Sequence, residues 1–390
     1  MLIYILVLLL LCFLMVKYDF YQKPSKDTSN KEKRWQIVVV VVLILLAGLR
    51  NHVGGDTFNY ENHFIYDTPK LGELFQSHTS FENLSQPLWF LINVLSKTLW
   101  DDFITVQFFH AIILNLLLYR FIRHSTRKVF TVLTVSYCIL WWNFNFEVLR
   151  EALCVAFFLN GLICLKERKV GLYLLWCLPA LGIHYFSFVM ILLALLFYFA
   201  SSKIIIFVTA LLFVLLSAID TNQLSSLIIS LAVMAVESKE DLLESYILGE
   251  TFGTTELNVF GVLLTLVSAV FPLIIVIKSK MDPFYKRMIW LFLILFIFQA
   301  KYPIISRFSN YLWLVVLIEA VNYLYTSRKK DLFRTAVLCL LIYNVVHYSL
   351  AFYNPPEHSP HNKQYDVRYI PYKSVFQSPD PVRELYYSKD

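Results

Sequence analysis

The sequence predicts an all-α, polytopic integral membrane protein with about 12 transmembrane helices. Of its 390 residues, 58% are hydrophobic and 16% are charged, against about 45–50% and about 25% in soluble globular domains. Apolar runs also recur along the chain, many of them near the roughly 20 residues that cross about 30 Å of hydrocarbon. The runs cover residues 1–16, 35–49, 103–119, 129–143, 148–165, 171–184, 186–200, 204–219, 257–277, 288–300, 308–325 and 335–352.

The first run, residues 1–16, is interpreted as an uncleaved span with its N-terminus outside. Basic residues follow this run instead of preceding it, and it lacks a small-residue cleavage site. A signal peptide has the opposite charge order. All six cysteines lie inside apolar runs, so we predict buried thiols and neither a disulfide framework nor a zinc site.

Lysine and arginine orient the remaining spans. They concentrate in alternate connections, which the positive-inside rule assigns to the cytoplasm: residues 17–34, 120–128, 166–169, 203, 278–287 and 328–334. The net charge of +6 therefore reports topology and does not imply a nucleic-acid partner. If residues 86–100 spanned the membrane, the cluster 120–128 would move outside. We therefore predict that 86–100 is a re-entrant or interfacial segment.

The same topology defines the domains. It predicts an integral membrane domain over residues 1–352, with external loops at 50–86 and 220–256. Residues 353–390 are polar, aromatic and rich in proline. They are predicted to form an external C-terminal tail that is ordered only if it packs back on the domain.

A first candidate site follows the second span. Arg50 comes directly after the apolar run, Gly54 and Gly55 permit a tight turn, and Asp56 is predicted to be the N-cap of a short helix. Helix N-termini and such turns bind anions. Together with Arg50 the turn is expected to hold a phosphate, while Asp56 orients an arginine or takes a proton. A capped amphipathic helix on the outer surface is the structural alternative.

A second cluster comprises Glu147, Arg150 and Glu151, whose spacing predicts one shared helix face at the outer end of a span. The alternative is an intrahelical ion pair, which contributes only about 0.2–0.5 kcal/mol. Two acids and an arginine at a membrane boundary are poorly explained by so small a stabilisation. We therefore favour a functional role for this cluster.

Two further candidates lie in later connections. His184 occupies a short turn between two spans, and histidine is a common general base because it titrates near neutral pH. Arg307 and Tyr311 lie four residues apart where a helix begins after Pro303. The alternatives are a structural histidine at a helix end and an interfacial aromatic belt with an anchoring arginine. His110 is a weaker candidate of the same kind as His184.

Adjacent Asp101 and Asp102 form the only metal candidate that the sequence suggests. Two carboxylates can bind a divalent cation, but the preferred interpretation is that they interrupt an apolar run. No metal site and no cofactor are predicted.

All four clusters fall on the outer side of the predicted topology. They describe a cationic, acid-containing external cavity above an aromatic-rich bundle of spans. Such a cavity suits a substrate with an apolar tail in the lipid and with phosphate and sugars outside. Arginine binds phosphate in a bidentate manner.

The order of several short blocks resembles the EpsG family of bacterial exopolysaccharide polymerases, which are Wzy-like multi-span proteins. The blocks are GLRNHVGGDTFNY, QPLWFLINVL, FNFEVLREALCVAFFL, LGIHYFSF, ISRFSNYLWL and YIPYKSVF. The resemblance extends from about residue 35 to residue 376. Arg50, Val53, Gly54, Asp56 and Tyr60 fill the first family pattern. Arg150 matches the middle block, where Glu151 replaces the family's glutamine, and His184 and Arg307 match the later ones.

The resemblance implies a GT-C-like, metal-independent, inverting glycosyltransferase in the bacterial cytoplasmic membrane, with its site on the external face. It would join oligosaccharide repeat units carried on undecaprenyl diphosphate into exopolysaccharide, capsule or O-antigen. A chain-length regulator and a flippase are the expected partners. The site residues divide into two groups. Arg50, Arg150, Arg307, Tyr60 and Tyr311 would bind diphosphate and sugar, and His184, Asp56 and Glu147 are the candidate catalytic bases.

Two other functions stay open at the level of sequence. A flippase or transporter of lipid-linked oligosaccharide would need the same arginines, but it is expected to carry basic residues deeper in its spans. A membrane O-acyltransferase would place a histidine inside a span near an asparagine or aspartate. His347 lies mid-span near Asn344, so this alternative also stays open.

Overall fold

The computed structural model describes residues 1–21, 30–74, 86–201, 204, 259–299, 305–328, 331–351 and 368–387. These residues form helices and no β-strand, apart from one isolated antiparallel bridge between Arg50 and Ser374. The α-helices are α1 (Leu2–Leu14), α2 (Asn30–Gly48), α3 (Thr57–Asn62), α4 (Pro87–Leu99), α5 (Ile104–Ser125), α6 (Val129–Ser136), α7 (Leu149–Lys166), α8 (Val170–Ile183), α9 (Ser187–Phe199), α10 (Val259–Lys278), α11 (Pro283–Gln299), α12 (Ser306–Thr326), α13 (Leu332–Ala351) and α14 (Pro381–Tyr387).

The predicted apolar runs coincide with helices, except for 204–219, which lies almost entirely outside the described residues. Within the described part of the chain, three helical segments are long and apolar enough to cross a membrane: Leu2–Phe20, Ile104–Ser125 and Leu332–Ser349. Shorter apolar helices accompany them. The prediction of an all-helical membrane protein is thus confirmed. The number of spans, their orientation, the GT-C likeness and the division at residue 352 stay predictions.

The chain forms two compact units, each described by itself. One contains residues 1–188 and 342–390, and the other contains residues 189–341. In the second unit α10, α11 and α12 pack together. Trp313 of α12 lies edge-on against Phe292 of α11, with ring centroids 4.9 Å apart.

Contacts at the two ends of α1 show where the N-terminus lies in the first unit. At the start of α1, the Tyr4 hydroxyl donates to the Tyr369 carbonyl (3.0 Å), and Tyr369 lies beside Glu147. After α1, the Asp19 carboxylate accepts bonds from the Thr131 amide (2.6 Å) and hydroxyl (2.8 Å) at the start of α6. The N-terminus therefore lies at the same end of this unit as residues 50–60. We call this the loop end.

The segment predicted to be re-entrant or interfacial forms α4, whose two ends both contact residues of the loop end. Before its first residue, Gln86 accepts a bond from the Arg150 guanidinium (2.8 Å). Near its last residue, the Lys97 ammonium donates to the carbonyls of Phe64 and Ile65 (both 2.8 Å). A helix that lies across one end of the unit accounts for both contacts, and its position relative to a membrane stays a prediction.

A buried polar network fixes the end of the α6 segment. Beyond Ser136 the helix continues as wider π-helical turns, Tyr137–Trp141 and Asn143–Glu147. The Asn115 amide donates to the Asn145 side chain, and the Trp141 indole donates to Asn115 (both 2.9 Å). These bonds satisfy polar groups that would be costly to bury alone. They also hold the turns that carry Glu147 to the loop end.

We predict that Asn115→Ala destabilises the protein. The substitution removes the bonds that Asn115 makes to the indole N–H of Trp141 and to the side-chain amide oxygen of Asn145. Each buried group left without its bond costs about 1–3 kcal/mol. The melting temperature of the purified protein in detergent should fall clearly below that of wild type. Leu116→Ala is the control, because Leu116 is the next residue of α5 and is 48% exposed. Equal melting temperatures for the two variants would contradict the prediction.

Candidate functional site

The turn after α2 requires glycine at position 54. Gly54 has a φ of 111°, a left-handed conformation that side chains disfavour. A Cβ added there would lie 2.4 Å from the Phe146 carbonyl oxygen. The Gly54 amide donates to the Arg368 carbonyl (2.8 Å). The turn is therefore packed between the end of the α6 segment and the C-terminal segment.

The carboxylate of Glu147 occupies the anion-binding part of this turn. The Gly55 amide donates to Oε1 and the Asp56 amide to Oε2, both at 3.0 Å. Both of these N–H groups are thus bonded to the protein's own side chain. The expectation that this turn and Arg50 hold a phosphate stays a prediction, and these two amides do not support it because Glu147 accepts both bonds.

Glu147 does not share a helix face with Arg150 and Glu151, so that prediction is wrong. Glu147 ends a π-helical turn, and Val148 has a non-helical conformation (φ −88°, ψ 58°) before α7 begins at Leu149. This break separates Glu147 from the helix that carries the other two residues. It allows the carboxylate to reach the Gly55 amide.

Arg50 is completely buried and bonded to the backbone. Its Nε donates to the Val53 carbonyl (3.0 Å) and its Nη1 to the Ala47 carbonyl (2.5 Å) in the last turn of α2. A cation at a helix C-terminus is stabilised by the helix dipole. Burial lowers the pKa of Arg50 to about 10, while Tyr372 and Glu147 act in the opposite direction. The residue therefore stays charged at neutral pH and shapes the turn.

Arg150 lies in a group of side chains that includes Tyr60 and Asp56. The guanidinium carbon is 5.5 Å from the centre of the Tyr60 ring, which packs edge-on against Trp89. Burial raises the pKa of Tyr60, and the negative charge of Asp56 acts in the same direction. Asp56 precedes α3 as predicted, although its side chain makes no capping hydrogen bond. We call Asp56, Tyr60 and Arg150 the acid–arginine group.

His184 lies in the turn between α8 and α9, as predicted. Its amide closes α8 by donating to the Ala180 carbonyl (2.9 Å), and its half-buried ring packs against Tyr185. Two residues earlier, Gly182 packs directly on Leu88 in the first turn of α4. Since Gln86 at the start of α4 contacts Arg150, His184 belongs to the same end of the unit.

The remaining sequence candidates have different surroundings. His110 is completely buried, with its Nε2 bonded to the Leu149 carbonyl (3.0 Å), so its position is structural. Asp101 pairs with Lys70 (2.9 Å), and Asp102 accepts the Ile104 amide (2.9 Å) at the start of α5. Among the residues that the structure describes, no group of three or more His, Cys, Asp and Glu side chains is placed to hold a metal ion.

Arg307 and Tyr311 lie one turn apart on α12, as their spacing predicted. Both belong to the second unit, so their contribution to a site at the loop end stays a prediction. Tyr311 is 2% exposed, and Pro303 lies outside the described residues.

Sequence reasoning missed the C-terminal segment as part of this region. The Asn51 amide donates to the Lys373 carbonyl (2.9 Å), and the Val375 amide donates to the Leu49 carbonyl (3.0 Å). The bonded residues are more than 300 positions apart, so no local sequence pattern predicts that they pair. The late block YIPYKSVF was the available signal, because it accompanies the glycine turn in the family resemblance.

A side-chain clasp reinforces this pairing. The His52 ring bonds to Glu61 of α3 (2.9 Å) and to Glu384 of α14 (2.5 Å). Burial alone would lower the pKa of His52, but the hydrogen bonds and charges of the two carboxylates outweigh burial and raise the pKa to about 9. Arg383 is completely buried and donates to the His52 carbonyl (3.1 Å).

A model of the EpsG family matches residues 33–374 of the chain. The protein belongs to the EpsG family. No curated protein and no solved structure gives a significant match. The family match includes the glycine turn, the acid–arginine group and Arg368, whereas Glu384 lies beyond it. Membership of the EpsG family implies a polysaccharide polymerase, a membrane glycosyltransferase that acts on lipid-linked oligosaccharide.

Gly54→Ala is predicted to destabilise the loop end of this EpsG protein and to abolish its activity. Alanine would be about 1–2 kcal/mol less stable in the left-handed conformation and would also clash with the Phe146 carbonyl. Gly72→Ala is the control, since nothing lies within 4 Å of its added Cβ. Measured in detergent, the melting temperature should fall for Gly54→Ala alone. Unchanged stability and activity in that variant would refute the role given to the turn.

The His52 clasp predicts a stability that declines at alkaline pH. A raised folded pKa stabilises the protein fully below the unfolded value of about 6.5. This contribution shrinks from there upward and is lost as pH rises through about 9. We expect the melting temperature of wild type to fall across this interval more steeply than that of Glu384→Gln. Parallel profiles for the two proteins would show that the clasp is absent.

Proposed function

We propose that this EpsG-family protein polymerises oligosaccharide repeat units carried on undecaprenyl diphosphate, at the outer face of the bacterial cytoplasmic membrane. The acid–arginine group supports the proposal most directly. Asp56, Tyr60 and Arg150 combine a cation for phosphate, an acid for proton transfer and an aromatic surface for a sugar ring. They lie at one end of a unit whose helices are apolar, where a lipid-linked substrate can place its tail beside the protein.

The proposed reaction is an inverting transfer. A hydroxyl oxygen of the acceptor sugar forms a bond to the anomeric carbon of the donor chain, and the bond from that carbon to the diphosphate oxygen breaks. The hydroxyl proton passes to a protein base, and the electron pair leaves with the diphosphate. Positive groups fixed before the reaction favour this charge development, a contribution that often amounts to about 2.7–4 kcal/mol for each donor.

Among the three candidate bases, Glu147 is assigned to holding the turn. Both of its oxygens accept backbone N–H groups, so taking up a substrate proton would disturb those bonds. Asp56 is the preferred base because it interacts with Tyr60, which lies against Arg150. His184 is the second candidate, since it lies at the same end of the unit and has an intrinsic pKa near neutrality.

Arginine is proposed to neutralise the diphosphate without a metal ion. Arg150 is half-buried and bonded to the neutral Gln86 side chain, a partner that a more strongly charged phosphate can displace. Arg50 would act by supporting the turn, and the diphosphate-binding role of Arg307 and Tyr311 stays a prediction from the sequence. A flippase that supplies the repeat units and a regulator of chain length are the proposed partners.

The proposal predicts that Arg150→Ala and Asp56→Asn stop polymerisation while leaving the protein in the membrane. A deletion strain would be complemented with each variant, with His184→Ala and with Arg123→Ala as the control for loss of an exposed arginine. The length of cell-surface polysaccharide would then be compared on gels. We expect single repeat units for the first two variants and full-length chains for the control.

Other outcomes of this experiment would replace the proposal. Lipid-linked repeats that accumulate on the inner face would indicate a flippase. Full-length chains that lack a substituent would indicate a modifying transferase. Loss of chain length in His184→Ala, but not in Asp56→Asn, would make His184 the base.

A further inference from the structure

We infer that α4 lies in the surface of the lipid bilayer at the loop end, with Leu91, Leu95 and Leu99 packed against lipid acyl chains. We call these three residues the leucine stripe. The sequence left open whether this segment re-enters the membrane or lies along its surface, and the exposure of its side chains favours the second arrangement. The contact with lipid is independent of the proposed function.

α4 is too short to cross a membrane. Its 13 residues extend over about 20 Å, whereas the hydrocarbon layer is about 30 Å thick. The helix is held near both of its ends by the loop end, through Gln86 and Lys97. In its first turn Leu88 packs on Gly182, close to the end of α8. The helix therefore runs along this end of the unit.

The polarity of α4 is inverted relative to a helix on a surface that faces water. Its buried residues include Asn93 and Ser96, and Ser96 is completely buried. Leu91 and Leu95 are each 42% exposed, and Leu99 is 70% exposed. Their spacing of four residues places them on one helix face. Since a helix in water turns its apolar stripe inward, an exposed leucine stripe matches acyl chains instead.

Polar groups beside the leucine stripe are bonded within the protein. The Thr98 hydroxyl donates to the Val94 carbonyl (2.7 Å) and accepts the Leu71 amide (2.9 Å). The Lys97 ammonium donates to two carbonyls at 2.8 Å and lies 5.3 Å from the centre of the Phe64 ring. Hydrocarbon offers no hydrogen bonds, so polar groups next to it need partners in the protein. Thr98 and Lys97 meet that requirement.

The residues after the leucine stripe have the character of a membrane–water boundary. Trp100 is 72% exposed, and tryptophan is enriched where hydrocarbon meets the headgroups. The next residue, Asp101, forms an exposed ion pair with Lys70 (2.9 Å). Apolar, aromatic and charged side chains thus follow one another from Leu99 to Asp101. This is the order expected where a helix end passes from acyl chains to headgroups.

The alternative occupant of the leucine stripe is a second copy of the chain, since a face with three leucines could pack against the same face of a neighbour. Lipid is favoured because of the helix beside α4. α5 packs against α4 and is long and apolar enough to cross a membrane. It also exposes a leucine, since Leu116 is 48% exposed. The leucine stripe therefore belongs to a helix whose neighbour has its own apolar surface for lipid.

The position of α4 bears on Arg150, a consequence that rests on the proposed function. The residue before α4, Gln86, accepts the bond from Arg150, and Trp89 packs on Tyr60. A helix in the bilayer surface holds these partners, and with them Arg150, at the level of the headgroups. The diphosphate of a lipid-linked substrate lies at the same level, because its tail stays in the hydrocarbon.

Photo-crosslinking in native membranes tests the contact with lipid. A benzophenone amino acid replaces Leu91, Leu95 or Leu99 in the full-length protein, one position at a time, so that a single poorly folded variant does not decide the result. The acyl chains carry a radioactive label, and lipid adducts are measured on the purified protein. Leu116 is the control for a lipid-facing position, and Asn62 is an exposed polar control on α3. We expect adduct yields at the three leucines to match the yield at Leu116, and a loss of adducts at Asn62.

The other possible products would overturn the inference. A cross-linked dimer without lipid adducts would assign the leucine stripe to a second copy of the chain. A cross-link within the chain would show that the protein itself covers the stripe. No product at all, where Leu116 reacts, would place the stripe in water.

Failure of the proposed function gives a different result. Polymerisation is measured separately, as the length of cell-surface polysaccharide made by Arg150→Ala. Lipid adducts at the leucine stripe, beside full-length polysaccharide from Arg150→Ala, would keep α4 in the bilayer surface and reject the proposed site. Loss of chain length in Arg150→Ala, without lipid adducts at the stripe, would keep the proposed site and reject the position of α4.

Discussion

The loop end depends on one interaction, which joins the Glu147 carboxylate to the backbone amides of Gly55 and Asp56. Hydrogen bonds to an ionised acceptor are roughly twice as strong as those between neutral groups. This pair of bonds ties the turn before α3 to the segment before α7, across more than 90 residues of sequence. It supplements the direct contact between Tyr60 and Arg150 in fixing the turn relative to α7.

Burying a carboxylate is costly unless its charge is compensated, and the surroundings of Glu147 supply the compensation. Two backbone N–H groups, a hydrogen bond from Tyr369 and the nearby charge of Arg368 all act on it. Two of these groups come from the C-terminal segment. The segment is therefore an electrostatic component of the site, because the acid that organises the turn needs its neighbours from residues 368 and 369.

Hydropathy and charge were sufficient to predict the helices and the loops that carry the site, since both depend on local composition. The N-cap position of Asp56 and the turn at His184 were predictable for the same reason. The break at Val148 was not, because it depends on the π-helical turns held by Asn115, which lies some thirty residues away. The pairing of residues 49–54 with residues 368–375 was also hidden. It consists mainly of backbone bonds, which leave little trace in the side-chain pattern.

The structure also distinguishes Arg50 from Arg150, to which the sequence analysis gave the same role. Arg50 and Arg383 are completely buried and donate to backbone carbonyls, which have fixed positions and hold the fold. Arg150 and Arg368 are partly exposed and contact side chains, a glutamine and a glutamate. A side-chain partner can move aside when a phosphate arrives, whereas a backbone carbonyl cannot move without disturbing a helix or a turn. This difference supports the proposed binding role of Arg150, while Arg50 and Arg383 keep the turn in the shape that binding requires.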